Sequence, residues 1–210
     1  MTEDEAKAAL NVPRETMERL EAFAALLREE NARQNLVSRA SLDHLWERHI
    51  LDSAQLLRFV PSGARTWLDL GTGAGFPGLV VALLHPARVT MVEARRLRAD
   101  FLIRAAGLLG TTDKVEIICA KVEALAMQPF DVISARAFAP LDTLLALGAR
   151  FSTDETLWVL PKGRNAKTEL EAAHASWQGD FRLEQSLTDA DARILVATGV
   201  HRRGKGSRSR

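Results

Sequence analysis

From residue 66 onward, short apolar runs alternate with stretches of helical spacing. Runs of four to six largely apolar residues suit buried strands, whereas apolar positions recurring every three to four residues suit helices with one inward face. This pattern predicts strands over 66–70, 89–93, 115–119, 130–134 and 156–160. Helices are expected over 76–84, 95–109, 141–151 and 165–177. In the helix over 95–109, Leu97, Phe101, Leu102, Ala105 and Leu108 are expected to point inward, and Gly110 to end it. Two last strand-like runs, 181–187 and 193–200, flank Thr188-Asp189-Ala190-Asp191, which reads as a hairpin turn. Alternating strands and helices with near-continuous apolar strands give a doubly wound, Rossmann-like α/β fold. Its sheet is mostly parallel, with an antiparallel C-terminal hairpin.

The first 65 residues read differently. Pro13 opens a helix over 13–33, with Met17, Leu20, Phe23, Ala24 and Leu27 on one face. Ser41 is placed to cap a second helix over 42–59, carrying Leu45, Trp46, Ile50, Ala54 and Leu57 inward. Three regions are therefore expected: a helical extension packed on the core (1–62), one α/β domain (63–200) and a basic, disordered tail (201–210).

Composition adds limits. A chain of 210 residues, 47% hydrophobic, suits one full core. The net charge is +1, yet the last ten residues hold five Arg or Lys and no acid. Taking those five away leaves −4 on the rest, so the tail points to a polyanion or stands as a solvated extension. The lone Cys119 excludes an internal disulfide, and its apolar neighbours predict a buried thiol. No basic start with an apolar core marks a secretory signal, and no apolar run reaches the ~18 residues of a membrane span. A cytoplasmic protein without membrane contact, working as a monomer, is the expectation.

Candidate chemistry centres on Asp69-Leu70-Gly71-Thr72-Gly73-Ala74-Gly75-Phe76-Pro77-Gly78, where a buried strand turns into a helix. Glycine allows sharp turns and close backbone approach, as nucleotide-type cofactors require. Leu79-Val80 stand where a P-loop needs Lys and Ser/Thr, which disfavours NTP hydrolysis. Gly73, Gly75 and Gly78 do match G-x-G-x-x-G, so an NAD-dependent oxidoreductase is a competing reading. Asp69 argues against a pyrophosphate, since like charges would meet at low dielectric, and favours a ligand with a cationic part. A sulfonium amino acid has that character.

Glu93 ends the second strand, 22 residues past Gly71, where an acid accepts hydrogen bonds from ribose hydroxyls. Alone, it is a strand-end acid facing water. Lys121-Val122-Glu123 falls where an adenine edge would lie, or simply starts a helix. Arg136 and Phe138 follow the fourth strand, where catalytic groups gather in such sheets; they suit a phosphate and a stacked base. The structural alternative, that Arg136 caps the following helix or pairs with an acid, is the less favoured one. Lys162 in Pro161-Lys162-Gly163-Arg164 follows the same logic more weakly. The five histidines show no metal spacing, and no Ser/His/Asp set, HExxH or CxxC occurs, so no catalytic residue and no metal are assigned.

Together these residues resemble the class I S-adenosylmethionine-dependent methyltransferases. More narrowly, Asn35-Leu36-Val37-Ser38, Arg48-His49-Ile50-Leu51-Asp52-Ser53, the glycine loop, Ser134-Ala135-Arg136-Ala137-Phe138 and Pro161-Lys162-Gly163 resemble the RsmG (GidB) family in order and spacing. That resemblance covers about residues 13–200. It implies methyl transfer from S-adenosyl-L-methionine to N7 of a guanine in 16S ribosomal RNA, with the RNA or the small ribosomal subunit as partner. A non-catalytic RNA-binding assembly factor is the other reading. By resemblance, Gly71, Gly73 and Phe76 line the methionine end of the cofactor, Glu93 holds the ribose, and Val122 and Glu123 flank the adenine. Arg136 lies between cofactor and RNA; Arg48, His49, Phe138 and Lys162 face the RNA. The family has Ser-Arg-Ala where this chain has Ser134-Ala135-Arg136-Ala137, which leaves the register of the arginine open by one position. The basic tail is not part of the family pattern.

Overall fold

The computed structural model describes residues 1–204. Seven strands form one sheet in the order β3-β2-β1-β4-β5-β7-β6. They are β1 (Thr66–Leu70), β2 (Arg88–Val92), β3 (Val115–Ile118), β4 (Val132–Ala135), β5 (Leu157–Lys162), β6 (Trp177–Gln185) and β7 (Arg193–Arg202). The first five run parallel; β7 joins β5 antiparallel and β6 closes the hairpin. The expected fold class holds.

Alternate residues of the central strands serve two separate cores, as the strand period of two requires. Trp67, Val89, Met91, Val132 and Val159 face one side. Leu68, Leu70, Val92, Ile133 and Trp158 face the other. The first side is covered by α5 (Gly78–Leu84), α6 (Arg96–Leu109) and the N-terminal helices, whose Leu20, Phe23 and Leu27 are fully buried there. The N-terminal extension therefore shares the main core. The second side is covered by α7 (Leu141–Gly148) and α8 (Ala166–Ala173).

The N-terminal region departs most from expectation. A first helix, α1 (Glu3–Leu10), precedes α2 (Arg14–Gln34). Its signal was a capping box: Thr2 accepts from the Glu5 amide, and Glu5 reaches back to the Thr2 amide. Only Ala6 of α1 is buried, so apolar periodicity gave no hint. Ser38, not Ser41, is the N-cap, and it opens only α3 (Arg39–Leu42). The expected helix over 42–59 is three pieces: a π-helical turn over Trp46–Leu51, α4 (Asp52–Ala54) and a 3-10 turn over Gln55–Phe59. Widening of the first turn turns His49, Ile50 and Leu51 inward together; such turns often sit at functional sites.

Four further corrections have physical causes. Leu97 and Leu108 are 68% and 45% exposed; the inward face of α6 is made by Ala99, Phe101, Leu102, Ala105, Ala106 and Leu109. Cys119 is exposed, because β3 is an edge strand and ends one residue earlier. The helix expected over 165–177 stops at Ala173, since Trp177 pairs with Arg202 as the first residue of β6. Its indole N–H donates to Asp142 at 2.8 Å, which fixes it under α7. At the other end, β7 runs on to Arg202, so His201 and Arg202 belong to the sheet. The tail expectation for 205–210 lies outside the described residues.

The sheet order places β1 between β2 and β4, so the chain reverses direction of growth beside β1. In open α/β sheets ligands bind in the crevice beyond the strand ends at such a switch point.

Candidate active site

A cavity of about 650 Å³ opens at the C-terminal ends of β1, β4 and β5. Gly71–Ala74, Phe76, Ala135–Ala139 and Pro161–Gly163 contribute to it, with Arg48, His49 and Asp52 from the extension. Of the site residues expected from sequence, Arg48, His49, Gly71, Gly73, Phe76, Arg136, Phe138 and Lys162 meet here.

The glycine loop is built from its own residues. Gly71 and Gly73 have φ of 65° and 58°, and Gly75 94°, conformations that favour glycine. A Cβ on Gly71 would collide with the Phe138 ring. A Cβ on Gly75 would lie 2.5 Å from Leu79, so that glycine serves the packing of α5. Gly73 alone of the three has room beside it, with Arg98 3.8 Å from the Cβ position.

Asp69 holds this loop from behind. Its carboxylate is fully buried and accepts from the Thr72 hydroxyl, from Ser134 Oγ at 2.7 Å and from the Gly78 amide at 3.1 Å. Trp67 Nε1 donates to the same Ser134 hydroxyl at 2.8 Å. Burial pushes the acid up to about 6, with Thr72, Ser134 and Gly78 pulling the other way. Sequence places Asp69 against a cationic ligand; here both its oxygens are engaged inside the protein and it is not among the residues lining the cavity.

Glu93 is also bound to the loop. One oxygen accepts from the Gly73 amide at 3.1 Å and the other from the Arg95 amide at 2.8 Å. Each retains lone-pair capacity. Val122 is buried in the second core, and the Glu123 carbonyl accepts from Arg150. None of Glu93, Val122 and Glu123 is among the residues lining the cavity; Glu93 stands behind Gly73, which does line it.

Across from the loop lies a second buried cluster. Ala137 has φ of 50°, a sharp turn that follows Arg136 directly after β4. Arg136 donates to the Arg48 carbonyl at 2.9 Å and contacts His49 Nδ1 at 2.6 Å. Its guanidinium sits 3.6 Å from Asp52 Oδ2 and 5.2 Å from the Phe76 ring centre. Guanidinium only donates, so His49 Nδ1 is the acceptor and the proton sits on Nε2. His49 stacks on Phe76 at 5.0 Å, and its Nε2 has no partner among the described residues. Burial first, then Arg136 and Arg48, lower its pKa to about 3, so the ring is neutral at pH 7. Asp52 is raised by burial, opposed chiefly by Arg136. Its Oδ1 accepts from Gln55 at 2.7 Å and from Thr188 at 2.8 Å, which draws the β6–β7 turn into the same wall. Lys162 pairs with Glu169 at 2.9 Å.

The sequence comparisons agree with this geometry. The family model described as rRNA small subunit methyltransferase G (GidB) matches residues 16–194. The chain belongs to this family. It is 54% identical to the ribosomal RNA small subunit methyltransferase G of Rhizorhabdus wittichii, over 100% of this chain and 99% of the relative. With the protein of the same name from Zymomonas mobilis it shares 49%, over 96% of each. Among solved structures it is similar in fold to a ribosomal protein L11 methylase from Lactobacillus delbrueckii (TM-score 0.59, 17% identity, 75% of this chain and 79% of that one). A Bacillus cereus O-methyltransferase in complex with SAH gives 0.58, with 16% identity over 84% and 90%.

A GidB-family chain is a methyltransferase, and its cofactor is S-adenosyl-L-methionine. That sets aside the oxidoreductase reading of Gly73-x-Gly75-x-x-Gly78. The residues present fit the cofactor: a cavity in the ~300–1,000 Å³ range of ligand sites, an open backbone at Gly73, and an acid at the end of β2. Sequence reasoning missed Ser134, Gln55, Thr188 and Arg98 in this neighbourhood. Ser134 was within a quoted motif, Gln55 lies two residues past the Arg48–Ser53 block, and Thr188 was read only as a turn residue; Arg98 carried no signal, and only folding brings it in.

Proposed function

We propose that this methyltransferase acts on N7 of a guanine in 16S ribosomal RNA, as a cytoplasmic monomer. The observation that carries this reading is the state of the cavity's acids and bases. His49 is neutral with Nδ1 occupied, Asp52 faces Arg136, and Glu169 faces Lys162. Asp189, the remaining acid lining the cavity, is exposed and accepts from the Asp191 amide. None of these is poised to remove a proton. Guanine N7 offers a lone pair and has no proton to lose, so direct displacement needs no general base.

The bound cofactor supplies an electrophilic methyl group on its sulfonium. Everything else falls to the chain. The backbone of Gly71–Gly73 and the acid of Glu93 would hold the adenosyl and methionine parts. Phe76 stacks on His49 with Arg136 next to both, a rigid apolar wall beside the loop. Phe138, packed on Gly71, is placed to stack on an incoming base. Positioning of this kind is worth up to roughly 7–11 kcal/mol when reactants are well oriented. The target base must leave its stack to be approached in line.

The direct test maps methylation. RNA from a strain lacking the chain is reduced, cleaved with aniline and read by primer extension; one N7-methylguanine stop in 16S RNA should disappear and return on complementation. Persistence of every such stop would sink the N7 assignment.

A further inference from the structure

The cavity has an unbalanced pair of cations. Its lining holds Arg48, Arg98, Arg136, Lys162 and Arg193 against Asp52, Glu169 and Asp189. Arg136 is matched by Asp52 and Lys162 by Glu169. Arg193 donates to the carbonyls of Ala190 and Ala192. The guanidinium groups of Arg48 and Arg98 have neither an acid nor a hydrogen-bond acceptor among the described residues. Elsewhere on α6 the arginines are served: Arg96 pairs with Asp100 at 2.9 Å and Arg104 with Glu30 at 2.6 Å.

Arg98 is also in an unfavourable place for a lone cation. It is half-buried in the first turn of α6, which contains no acid, and the helix dipole is positive there. Its Nη1 lies against the glycine loop, 3.8 Å from where a Gly73 Cβ would be. An anion arriving in the cavity relieves that cost. Two anions are available to this enzyme: the carboxylate of the cofactor and a phosphate of the RNA. Arg48 is solvent-exposed while lining the same cavity, so the pair is open to the side from which a macromolecule comes. The guanidinium fork matches phosphate oxygens in bidentate fashion.

We propose that Arg98 holds a backbone phosphate of the substrate RNA beside the glycine loop, with Arg48 facing the RNA elsewhere on the same cavity, making Arg98 a positioning residue for methyl transfer. This rests on the RNA-methyltransferase reading above. Phosphate contacts fix register without reading sequence, so the pair sets where the target base enters rather than which base is chosen.

The test uses the full chain and deproteinised 16S ribosomal RNA. Binding is titrated from low to high salt for the wild type, Arg98→Ala and Arg98→Lys. Removing one phosphate contact lowers the slope of log affinity against log salt by about 0.7–0.9. Arg98→Ala should show that loss and weaker RNA binding, with S-adenosylmethionine affinity by calorimetry within about twofold of the wild type; Arg98→Lys should keep most of the slope. Thermal unfolding serves as the folding control, and the Arg98 guanidinium has no partner among the described residues whose loss would unsettle the chain. An unchanged slope overturns the proposal. So does a fall in cofactor affinity at an unchanged slope, which assigns Arg98 to the cofactor carboxylate. Methyl incorporation by the wild type is scored separately, so failure of the enzyme reading is not confused with failure at Arg98.

Discussion

Asp69, fully buried, and Asp52, partly buried, are acids close to the same cavity, and the protein uses them in opposite ways. Asp69 binds only neighbours on its own face of the sheet: Thr72, Gly78 and Ser134. It forms no ion pair among the described residues; burial holds it up at about 6, opposed by its hydrogen bonds and by the more distant charge of Arg136. Asp52 gathers groups from three distant parts of the chain: Gln55, Arg136 and Thr188. One acid shapes a loop; the other joins the extension, the β4 loop and the β6–β7 turn into one wall. A buried acid tied to backbone and hydroxyls gives local rigidity, whereas one paired with a cation makes separate elements depend on each other.

The largest effect should come from breaking that wall. Arg136→Ala leaves Asp52 without its cation, His49 Nδ1 without its donor and the Arg48 carbonyl unpaired. Loss of one partner of a buried pair costs about 3–5 kcal/mol. Urea unfolding should show this, together with near-complete loss of methyl transfer. A loss below about 1 kcal/mol would reduce Arg136 to a surface contact.

The second experiment uses pH to set Asp69 against His49. The folded Asp69 takes up a proton near 6, the unfolded chain only near 3.8. The group therefore gains stability as pH falls from about 6 to 3.8. His49 has the reverse sign. Its folded pKa is about 3 against 6.5 unfolded, so its contribution is full above 6.5 and is lost as pH falls toward 3. At about 1.4 kcal/mol per unit the two nearly cancel between pH 6 and 4. In Asp69→Asn the cancellation goes, and the gap in stability from the wild type should widen as pH falls across that window, by about 3 kcal/mol in all. A gap independent of pH means Asp69 titrates normally.

Glu93→Ala comes third. Loss of hydrogen bonds to a charged acceptor should weaken cofactor binding by about 1–3 kcal/mol, measured by calorimetry. Unchanged affinity would show that Glu93 serves only the Gly73 and Arg95 amides. The smallest effect is Thr188→Val, which removes the hydroxyl that donates to Asp52 at 2.8 Å and meets Ser186 Oγ at 3.0 Å and Gln55 Nε2 at 3.4 Å. About 1 kcal/mol of stability should go, with KM for RNA rising and cofactor affinity unmoved.

Much of this was legible in the linear chain. Five strands, their helices, the hairpin and the glycine loop follow from apolar spacing and from Gly and Pro positions, which are local properties. Arg48–Ser53 and Ser134–Phe138 marked the site through resemblance. What was not legible had non-local causes. The π-helical turn exists because Trp46, His49, Ile50 and Leu51 must all be buried against the sheet and α1. Cys119 is exposed because β3 is the sheet's edge. Trp177 is a strand residue because it pairs with Arg202, and helical spacing misassigned it.

For this protein, sequence by itself determined the α/β class, the cofactor loop and the family, since each is written in contiguous residues. Tertiary structure decided what each charge does. Asp69 reads in sequence as an electrostatic partner for a ligand; folding closes three donors around it. Arg136 reads as an RNA contact; folding places it 3.6 Å from an acid 84 residues away. Arg98 reads as one more surface arginine on α6, and only the fold sets its guanidinium beside Gly73 without a partner among the described residues. Charge interactions depend on distance and burial, and neither is a property of a residue type or of a spacing.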